Sequence, residues 1–190
     1  MIELVVSDIL CKTSDERAYV MMLKELNGHR KIMVVIGYAE AQAIAFALKG
    51  IVTKRPITHD LFHNFAESVG ATMQCATISK IDDGTFYSTL MFRINDELRE
   101  IDARTSDAVA VALRFGAPIY IEEELLKRTA IHDEFNGAVS IPITIADNET
   151  LRNVLDKAIK EENYELAMKI KEEIDSRNTQ NDTPEENNKL

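Results

Sequence analysis

The sequence predicts an α+β fold, in which a mixed β-sheet with several short helices is followed by a C-terminal αα-hairpin. Runs rich in β-branched and aliphatic residues fill most of the first 36 positions and return between residues 71 and 121, which is typical of strands. Stretches with apolar residues at helical spacing separate these runs and end at glycines. Beyond residue 149 the spacing is helical only, which indicates a helical appendage.

The N-terminal segment is predicted to form three strands, 2–10, 18–26 and 31–36, with a turn near residues 13–16. The second of these runs also fits a helix. We favour a strand because Asn27-Gly28 follows it closely, and this dipeptide is typical of tight β-hairpins.

Two helices are predicted next, over residues 39–49 and 59–68. Gly50 and Gly70 follow them, and glycine readily adopts the left-handed conformation that ends a helix. Thr58 is the predicted N-cap of the second helix, because a threonine hydroxyl can accept a hydrogen bond from a free backbone N–H group.

The rest of the main domain is predicted to continue with strands 71–81, 85–94 and 98–103, a helix 105–115, a strand 119–121 and a helix 122–128. Asp82-Asp83-Gly84 is the turn signal between the first two of these strands. Gly116 and Pro118 form a strong stop for the helix that begins at residue 105.

The predicted domain organisation has four parts. Residues 1–130 form the main domain, and residues 131–148, which carry no sustained period, form a linker. Residues 149–177 form the two-helix hairpin, which is too small for a stable core of its own and must pack on the main domain, on itself or on a partner. Residues 178–190 are rich in Asn, Asp, Glu and Thr, and we expect them to be disordered.

The composition is that of a globular chain, with 45% hydrophobic and 28% charged residues. No apolar run approaches the roughly 20 residues that span a bilayer, and the N-terminus lacks a signal-peptide pattern. Cys11 and Cys75 lie far apart and fit reduced thiols, so we expect a cytoplasmic location without membrane contact. The net charge of −10 without a basic patch argues against tight, non-specific binding to a long nucleic-acid backbone.

A polar cluster at the start of the 105–115 helix is the main candidate site, and its members are Asp102, Arg104, Ser106 and Asp107. Helix starts expose free N–H groups and a partial positive charge, so they often hold anions. Glu40 opens another strand-to-helix junction. If the two junctions lie together, these carboxylates form one acidic pocket with a single cation. Alternatively, Asp102 and Asp107 cap the helix and Arg104 pairs with one of them.

His59 and His63 stand at positions i and i+4 of a predicted helix, which is the spacing of zinc ligands. No third ligand is evident, and Asp60 stands where a metalloprotease motif has glutamate. We therefore interpret His59 and Asp60 as first-turn residues, with the acid favoured by the helix dipole. A role for His59 as a general base is a hypothesis.

Several separate segments, in the right order over residues 2–130, resemble the bifunctional nuclease family, also called the DUF151 domain. These segments are Ile36-Gly37, Glu40-Ala41, Ala43-Ile44 and Leu48, Arg55 to Leu61, Gly84 to Tyr87, and Asp102 to Ala108. One departure is that the family usually has proline where Thr105 stands. Proline is well suited to a first helical position. We expect Thr105 to act as an N-cap instead, so that its presence changes the site only locally.

The resemblance implies nuclease activity on RNA and DNA. Phosphodiester cleavage needs a nucleophile, a route for its proton and positive charge on the phosphate, and carboxylates that hold Mg²⁺ or Mn²⁺ supply all three. On this hypothesis Asp102, Asp107 and Glu40 are metal ligands, and Arg104 binds phosphate through two N–H groups.

The C-terminal segment is similar to a second module, the UVR motif of UvrB and UvrC. The similar residues are Leu155 to Ile159, Glu162 to Ala167 and Ile170 to Ile174. In that family the hairpin is an interaction element, so the resemblance implies a protein contact through residues 149–177.

Two hypotheses for function remain open. The first is a metal-dependent nuclease that hydrolyses phosphodiester bonds of RNA and DNA, forms a homo-oligomer and contacts a protein through its hairpin. The second is a non-enzymatic oligomeric scaffold or regulatory protein-binding module, in which the polar cluster serves as structure or interface. The acidic composition favours the second, and the family resemblance favours the first.

Overall fold

A computed structural model of the chain describes residues 1–11, 18–131, 143, 146 and 148–181. The predicted turn near 13–16, most of the predicted linker and residues 182–190 of the predicted tail lie outside these ranges. The prediction of an α+β fold with a mixed sheet and a C-terminal helical pair is confirmed. Every predicted strand and helix of the main domain is found within one residue of its predicted bounds.

The described strands are β1 (Ile2–Cys11), β2 (Ala18–Glu25), β3 (Lys31–Gly37), β4 (Thr72–Asp82), β5 (Thr85–Ile94), β6 (Glu97–Arg104) and β7 (Ile119–Ile121). The described helices are α1 (Tyr38–Leu48), α2 (Thr58–Ser68), α3 (Thr105–Phe115), α4 (Glu123–Thr129), α5 (Asn148–Lys160) and α6 (Tyr164–Asn181). None of these helices is long and apolar enough to cross a membrane. The chain divides into two compact units, one with the sheet and α1 to α4 and the other with α5 and α6.

The strands form one sheet in the order β3-β2-β1-β7-β4-β5-β6. The short strand β7 joins its two halves, because Ile119 pairs antiparallel with Leu4 of β1 and parallel with Ala76 of β4. Consecutive strands form the antiparallel pairs β1–β2, β2–β3 and β5–β6. The sheet is therefore mixed, and β6 lies at one edge of it.

Helix α3 is central to the main domain, and it packs on α1, α2 and β4. Its apolar run is almost fully buried, and the buried residues are Ala108, Val109, Ala110, Val111 and Ala112. Alternating alanine and valine keeps the helix surface narrow, so that neighbouring backbones approach closely while each buried valine contributes about 1.5–3 kcal/mol. This close packing brings the starts of three helices toward one another.

Two predicted helix caps are wrong by one position. The N-cap of α2 is Ile57 rather than Thr58, because the carboxylate of Asp60 accepts a hydrogen bond from the Ile57 N–H group at 3.0 Å. The N-cap of α3 is Arg104, and Thr105 is the first helical residue. The Thr105 hydroxyl points into the core, where it lies 2.7 Å from Ser88 Oγ and so cannot cap its own helix.

The C-terminal unit contains the predicted two-helix hairpin. Leu151 of α5 and Ile170 of α6 are buried against Ala146 in its apolar core. The turn between the helices contains Glu162 in a left-handed conformation, with a φ angle of 57°. Helix α6 continues to Asn181, beyond the predicted end of the hairpin at residue 177.

Candidate active site

Three helix starts of the main domain meet around one open pocket of about 720 Å³. Glu40 lies in the first turn of α1, His59 in the first turn of α2 and Asp107 in the first turn of α3. Asp102 and Arg104, at the end of β6, also line this pocket. All five predicted site residues therefore lie on the walls of one pocket, although their roles stay predictions.

Arg104 joins two of the predicted carboxylates. Its Nε and Nη2 atoms donate to the two oxygens of Asp107 at 2.7 and 3.2 Å, and Nη2 also donates to Glu40 Oε1 at 3.0 Å. An ion pair between Arg104 and Asp107 is also what we expect if these residues only cap the helix and pair with each other. The Arg104 side chain is nevertheless 68% exposed, and within the described part of the chain its Nη1 group has no hydrogen-bond partner.

His59 contacts the same carboxylate from the other side. Its Nε2 atom lies 3.0 Å from Asp107 Oδ1, and the side chain is only 14% exposed. Because a carboxylate only accepts hydrogen bonds, Nε2 carries the hydrogen and donates it. The neutral ring then keeps its lone pair on Nδ1, which is the tautomer that a general base requires.

The pKa of Asp107 is lowered. Burial acts to raise this pKa, but the hydrogen bonds from Arg104 and His59 and the positive charge of Arg104 together outweigh burial. The pKa of Arg104 is raised, first by its hydrogen bond to Asp107 and then by the charge of that carboxylate. The site therefore holds a stable Asp107 carboxylate between a permanent cation and an imidazole.

Asp102 differs from the other predicted site residues. It is exposed on β6 opposite Thr89, and its side chain makes no hydrogen bond or ion pair with any residue that the structure describes. It thus lines the pocket as an unengaged carboxylate.

The three predicted metal ligands do not fit a divalent ion in this arrangement. Arg104 occupies oxygens of both Glu40 and Asp107, so that of these three carboxylates only Asp102 has no partner among the described residues. Among the described residues no three His, Cys, Asp or Glu side chains are grouped closely enough to hold a metal ion. No step is therefore assigned to a metal here, and the involvement of Mg²⁺ or Mn²⁺ stays a prediction.

His63 does not join His59 in this pocket. Its ring lies 4.4 Å from the Phe115 ring, centroid to centroid, and its Nδ1 lies 3.6 Å from Glu67 Oε2. These contacts explain His63 as a packing residue on α2.

Sequence reasoning missed Arg114, which connects the three helices behind the pocket. Its side chain is only 10% exposed, and Nε donates to Asp60 Oδ1 at 2.6 Å. Nη1 donates to the Ala110 carbonyl at 2.7 Å, and Nη2 donates to the Ala43 carbonyl at 3.3 Å. One guanidinium thus contacts α1, α2 and α3. The signal in the sequence was a single cation directly after the apolar run of α3, because an arginine is rarely buried without partners.

Gly37 was also missed as a site residue. A Cβ atom at this position would lie 2.5 Å from Glu40 Oε2. The absence of a side chain therefore provides the space that the Glu40 carboxylate occupies beside Arg104. The sequence signal was a glycine three residues before the acid at the junction of β3 and α1.

Comparisons with known proteins identify a family and two relatives. The family model for the bifunctional nuclease domain matches residues 21–134. Two relatives from Mycobacterium tuberculosis, Uncharacterized protein MT1877 of strain CDC 1551 / Oshkosh and Uncharacterized protein Rv1829 of strain ATCC 25618 / H37Rv, are each 37% identical over 139 residues. Each alignment covers 72% of this chain and 83% of the relative.

The match to the family model includes Glu40, His59, Asp102, Arg104 and Asp107, and it ends before the C-terminal hairpin. The similarity of that hairpin to the UVR motif therefore stays a prediction. On the family match and the two relatives, the chain belongs to the bifunctional nuclease domain family.

Proposed function

We propose that the protein is a nuclease that hydrolyses phosphodiester bonds of RNA and DNA in the pocket at the three helix starts. The observation that supports this most is the contact of both His59 and Arg104 with Asp107. In this proposal His59 is a general base and Arg104 a phosphate-binding cation, and the two share one carboxylate within one open pocket. Membership of the family supports a nuclease-like activity at the level of the domain.

In this proposal His59 is the general base. Asp107 accepts the Nε2 hydrogen at 3.0 Å, orients the ring and stabilises the imidazolium that forms. Nδ1 takes a proton from water as the water oxygen bonds to phosphorus. The bond from phosphorus to the leaving oxygen then breaks, and that oxygen takes a proton from the solvent.

Arg104 supplies positive charge to the phosphate. Its Nε and Nη2 groups are held by Asp107 and Glu40, so that the plane of the guanidinium is fixed before substrate arrives. The Nη1 group, which has no partner in the part of the chain that the structure describes, then donates to a phosphate oxygen, and such charge-assisted bonds are about twice as strong as neutral ones. We assign Glu40 to the orientation of Arg104 and Asp102 to hydrogen bonding of the attacking water.

The test is cleavage of labelled single-stranded RNA and DNA by the full chain and by His59→Ala, Asp107→Asn and Arg104→Ala. Loss of general base catalysis typically costs about 10²–10⁴-fold in rate, and we expect reductions in this range. His63→Ala and Arg99→Ala are matched controls, because both residues lie near the site in sequence but do not line the pocket. An inactive parent, or variants as active as the controls, would contradict the proposal.

Dependence on Mg²⁺ or Mn²⁺ is tested in the same assay. Cleavage in EDTA is compared with cleavage in each metal for the parent and for Arg104→Ala, which frees the carboxylates of Glu40 and Asp107. Activity only with metal supports the predicted dependence. Equal activity in EDTA shows that His59 and Arg104 act without a metal ion.

The C-terminal hairpin is proposed to contact a protein. Its packed apolar residues leave Ile159, Tyr164 and Met168 exposed on the outside of the helices, and such positions favour an interface. Self-association of the main domain and a cytoplasmic location also stay predictions. Sedimentation of the full chain and of a chain ending at residue 148 distinguishes self-association through the hairpin from self-association through the main domain.

A further inference from the structure

A second pocket, of about 530 Å³, lies beside α1. Two tyrosine rings, Tyr19 of β2 and Tyr38 of α1, form part of its wall together with Gln42 and Lys49. This volume lies within the range of pockets that bind small aromatic ligands. The family match and the catalytic proposal leave this pocket unexplained.

The two pockets meet on α1. Gln42 lines both the pocket of the candidate active site and the second pocket, because it lies on the ridge of the helix between them. Glu40 faces the first pocket and Tyr38 faces the second. A polymer held at Arg104 that crosses this ridge therefore reaches Tyr38 within about one helix diameter, about 10–12 Å.

The Tyr38 ring is held in place and is yet 54% exposed. Tyr19 contacts it at 6.0 Å between ring centroids with a tilt of 56°, so the two rings are not stacked face to face. Gln42 Nε2 donates to the Tyr38 hydroxyl at 3.1 Å. An aromatic ring that is fixed on two sides but exposed is preorganised to stack on a flat ligand.

The polar groups of the second pocket are complementary to those of a nucleotide. The Gln42 side-chain carbonyl and the exposed Asp8 carboxylate can accept hydrogen bonds from the amino groups of bases. Lys49 lies at the same pocket and makes no ion pair within the described part of the chain. It is a cation available to a neighbouring phosphate.

The overall charge determines how such a ligand is held. With a net charge of −10, the protein has little long-range attraction for a phosphate backbone. Aromatic stacking, in contrast, binds bases without a positive surface and tolerates any base sequence. A strand that is paired in a duplex cannot offer its base faces to a tyrosine ring.

We infer that the pocket of Tyr19, Tyr38, Gln42 and Lys49 is a nucleobase subsite that holds single-stranded nucleic acid by stacking a base on Tyr38. This inference rests on the proposed function, because it places the base next to a phosphate bound at Arg104. Single-stranded nucleic acid is then the preferred substrate class.

The test is equilibrium binding of a fluorescent single strand of about 10 nucleotides, a length within the usual site sizes for single-strand binding. Phosphorothioate linkages prevent cleavage, so that binding is measured whether or not the protein is a nuclease. Tyr38→Ala in the full chain should weaken binding about 5- to 150-fold, which is the contribution of one stacked base. Tyr38→Phe keeps the ring and loses only the Gln42 hydrogen bond, so it should bind much closer to the parent than Tyr38→Ala does.

Tyr87→Ala is the matched control, because Tyr87 is also an exposed tyrosine but does not line the second pocket. It should leave affinity unchanged, and a duplex of the same sequence should bind more weakly than the single strand. Equal losses in Tyr38→Ala and Tyr87→Ala, or an unchanged affinity of Tyr38→Ala, would overturn the inference.

Salt dependence gives a second, independent measurement. Two phosphate contacts, at Arg104 and Lys49, predict a slope of log affinity against log salt of about −1.4, since each contact to a single strand contributes about −0.7. Lys49→Gln should reduce the slope by about 0.7, and Tyr38→Phe should leave it unchanged. A slope steeper than about −3 would show binding dominated by the backbone and would contradict a stacking subsite.

Discussion

His59 Nε2 and Asp107 Oδ1 lie 3.0 Å apart, which joins the first turns of α2 and α3 across 48 positions of sequence. The contact has a consequence for stability because the pKa of Asp107 is lowered: burial alone would raise it, but the hydrogen bonds from Arg104 and His59 outweigh burial. A carboxyl with a lowered folded-state pKa stabilises the fold above its unfolded pKa, which is about 3.9. That stabilisation is lost as the pH falls through the folded-state pKa.

We therefore expect Asp107→Asn to lower the free energy of unfolding at pH 7 and to have a smaller effect at pH values well below about 4. Urea unfolding at several pH values measures this difference. Asp102→Asn is the control, because Asp102 has no side-chain partner among the described residues and its replacement should stay within about 0.5 kcal/mol at every pH. A pH-independent effect of Asp107→Asn would contradict the assigned ionic contacts.

Gly37→Ala should reduce nuclease activity without a large loss of stability. The new Cβ would lie 2.5 Å from Glu40 Oε2, so the flexible Glu40 side chain must move away from Arg104. The backbone of Gly37 has a φ of −78° and a ψ of 169°, which alanine adopts without strain. Cleavage rates and thermal midpoints are compared with those of Glu40→Gln, which should show a similar loss of activity. An unchanged rate would show that Glu40 does not orient Arg104.

Arg114→Ala should destabilise the main domain more than Arg104→Ala. Arg114 is 10% exposed and contacts Asp60 and two backbone carbonyls, whereas Arg104 is 68% exposed. Asp60 itself is partly exposed, so the expected cost lies between about 1 kcal/mol for a surface pair and about 5 kcal/mol for a buried one. Arg104→Ala should cost about 0–1 kcal/mol. Denaturant unfolding of both variants checks the order.

Thr105→Pro is expected to destabilise the protein although proline suits a first helical position. The preceding Arg104 already has an extended ψ of 144°, which is compatible with a following proline. The cost arises because Ser88 loses its hydroxyl partner at 2.7 Å, and an unpaired buried hydroxyl costs about 1–3 kcal/mol. Thr105→Pro combined with Ser88→Ala should therefore lose less stability than the two single changes added together. A strictly additive double variant would show that the hydroxyl pair contributes nothing.

The element boundaries were predictable because their signals are local. Gly50, Gly70 and Gly116 follow the three main helices, and each adopts a positive φ angle. Turn dipeptides mark the hairpins in the same way. A chain that is locally consistent in this manner reveals its helices and strands without any knowledge of tertiary contacts.

The cap of α3 and the connections between helices were not predictable because they depend on distant partners. Thr105 follows the usual pattern of an N-cap, yet its hydroxyl bonds to Ser88 on another strand. Asp60 follows the pattern of a first-turn acid, and only the fold shows that Arg114 also binds it. The predicted convergence of Glu40 with Arg104 was conditional on two junctions lying together, and the packing of α1 on α3 provides that condition.

The three residues of β7 have a consequence for how the protein is made. Ile2 to Leu4 pair with Ile119 to Ile121, so the two halves of the sheet cannot join until nearly the whole main domain has left the ribosome. Until then the edge of β1 that β7 will occupy is open to other strands. Contacts between such distant positions form slowly, and nascent chains with open edges are prone to aggregate. Production of this protein should therefore benefit from added chaperones, which cover the open edge until β7 has been synthesised.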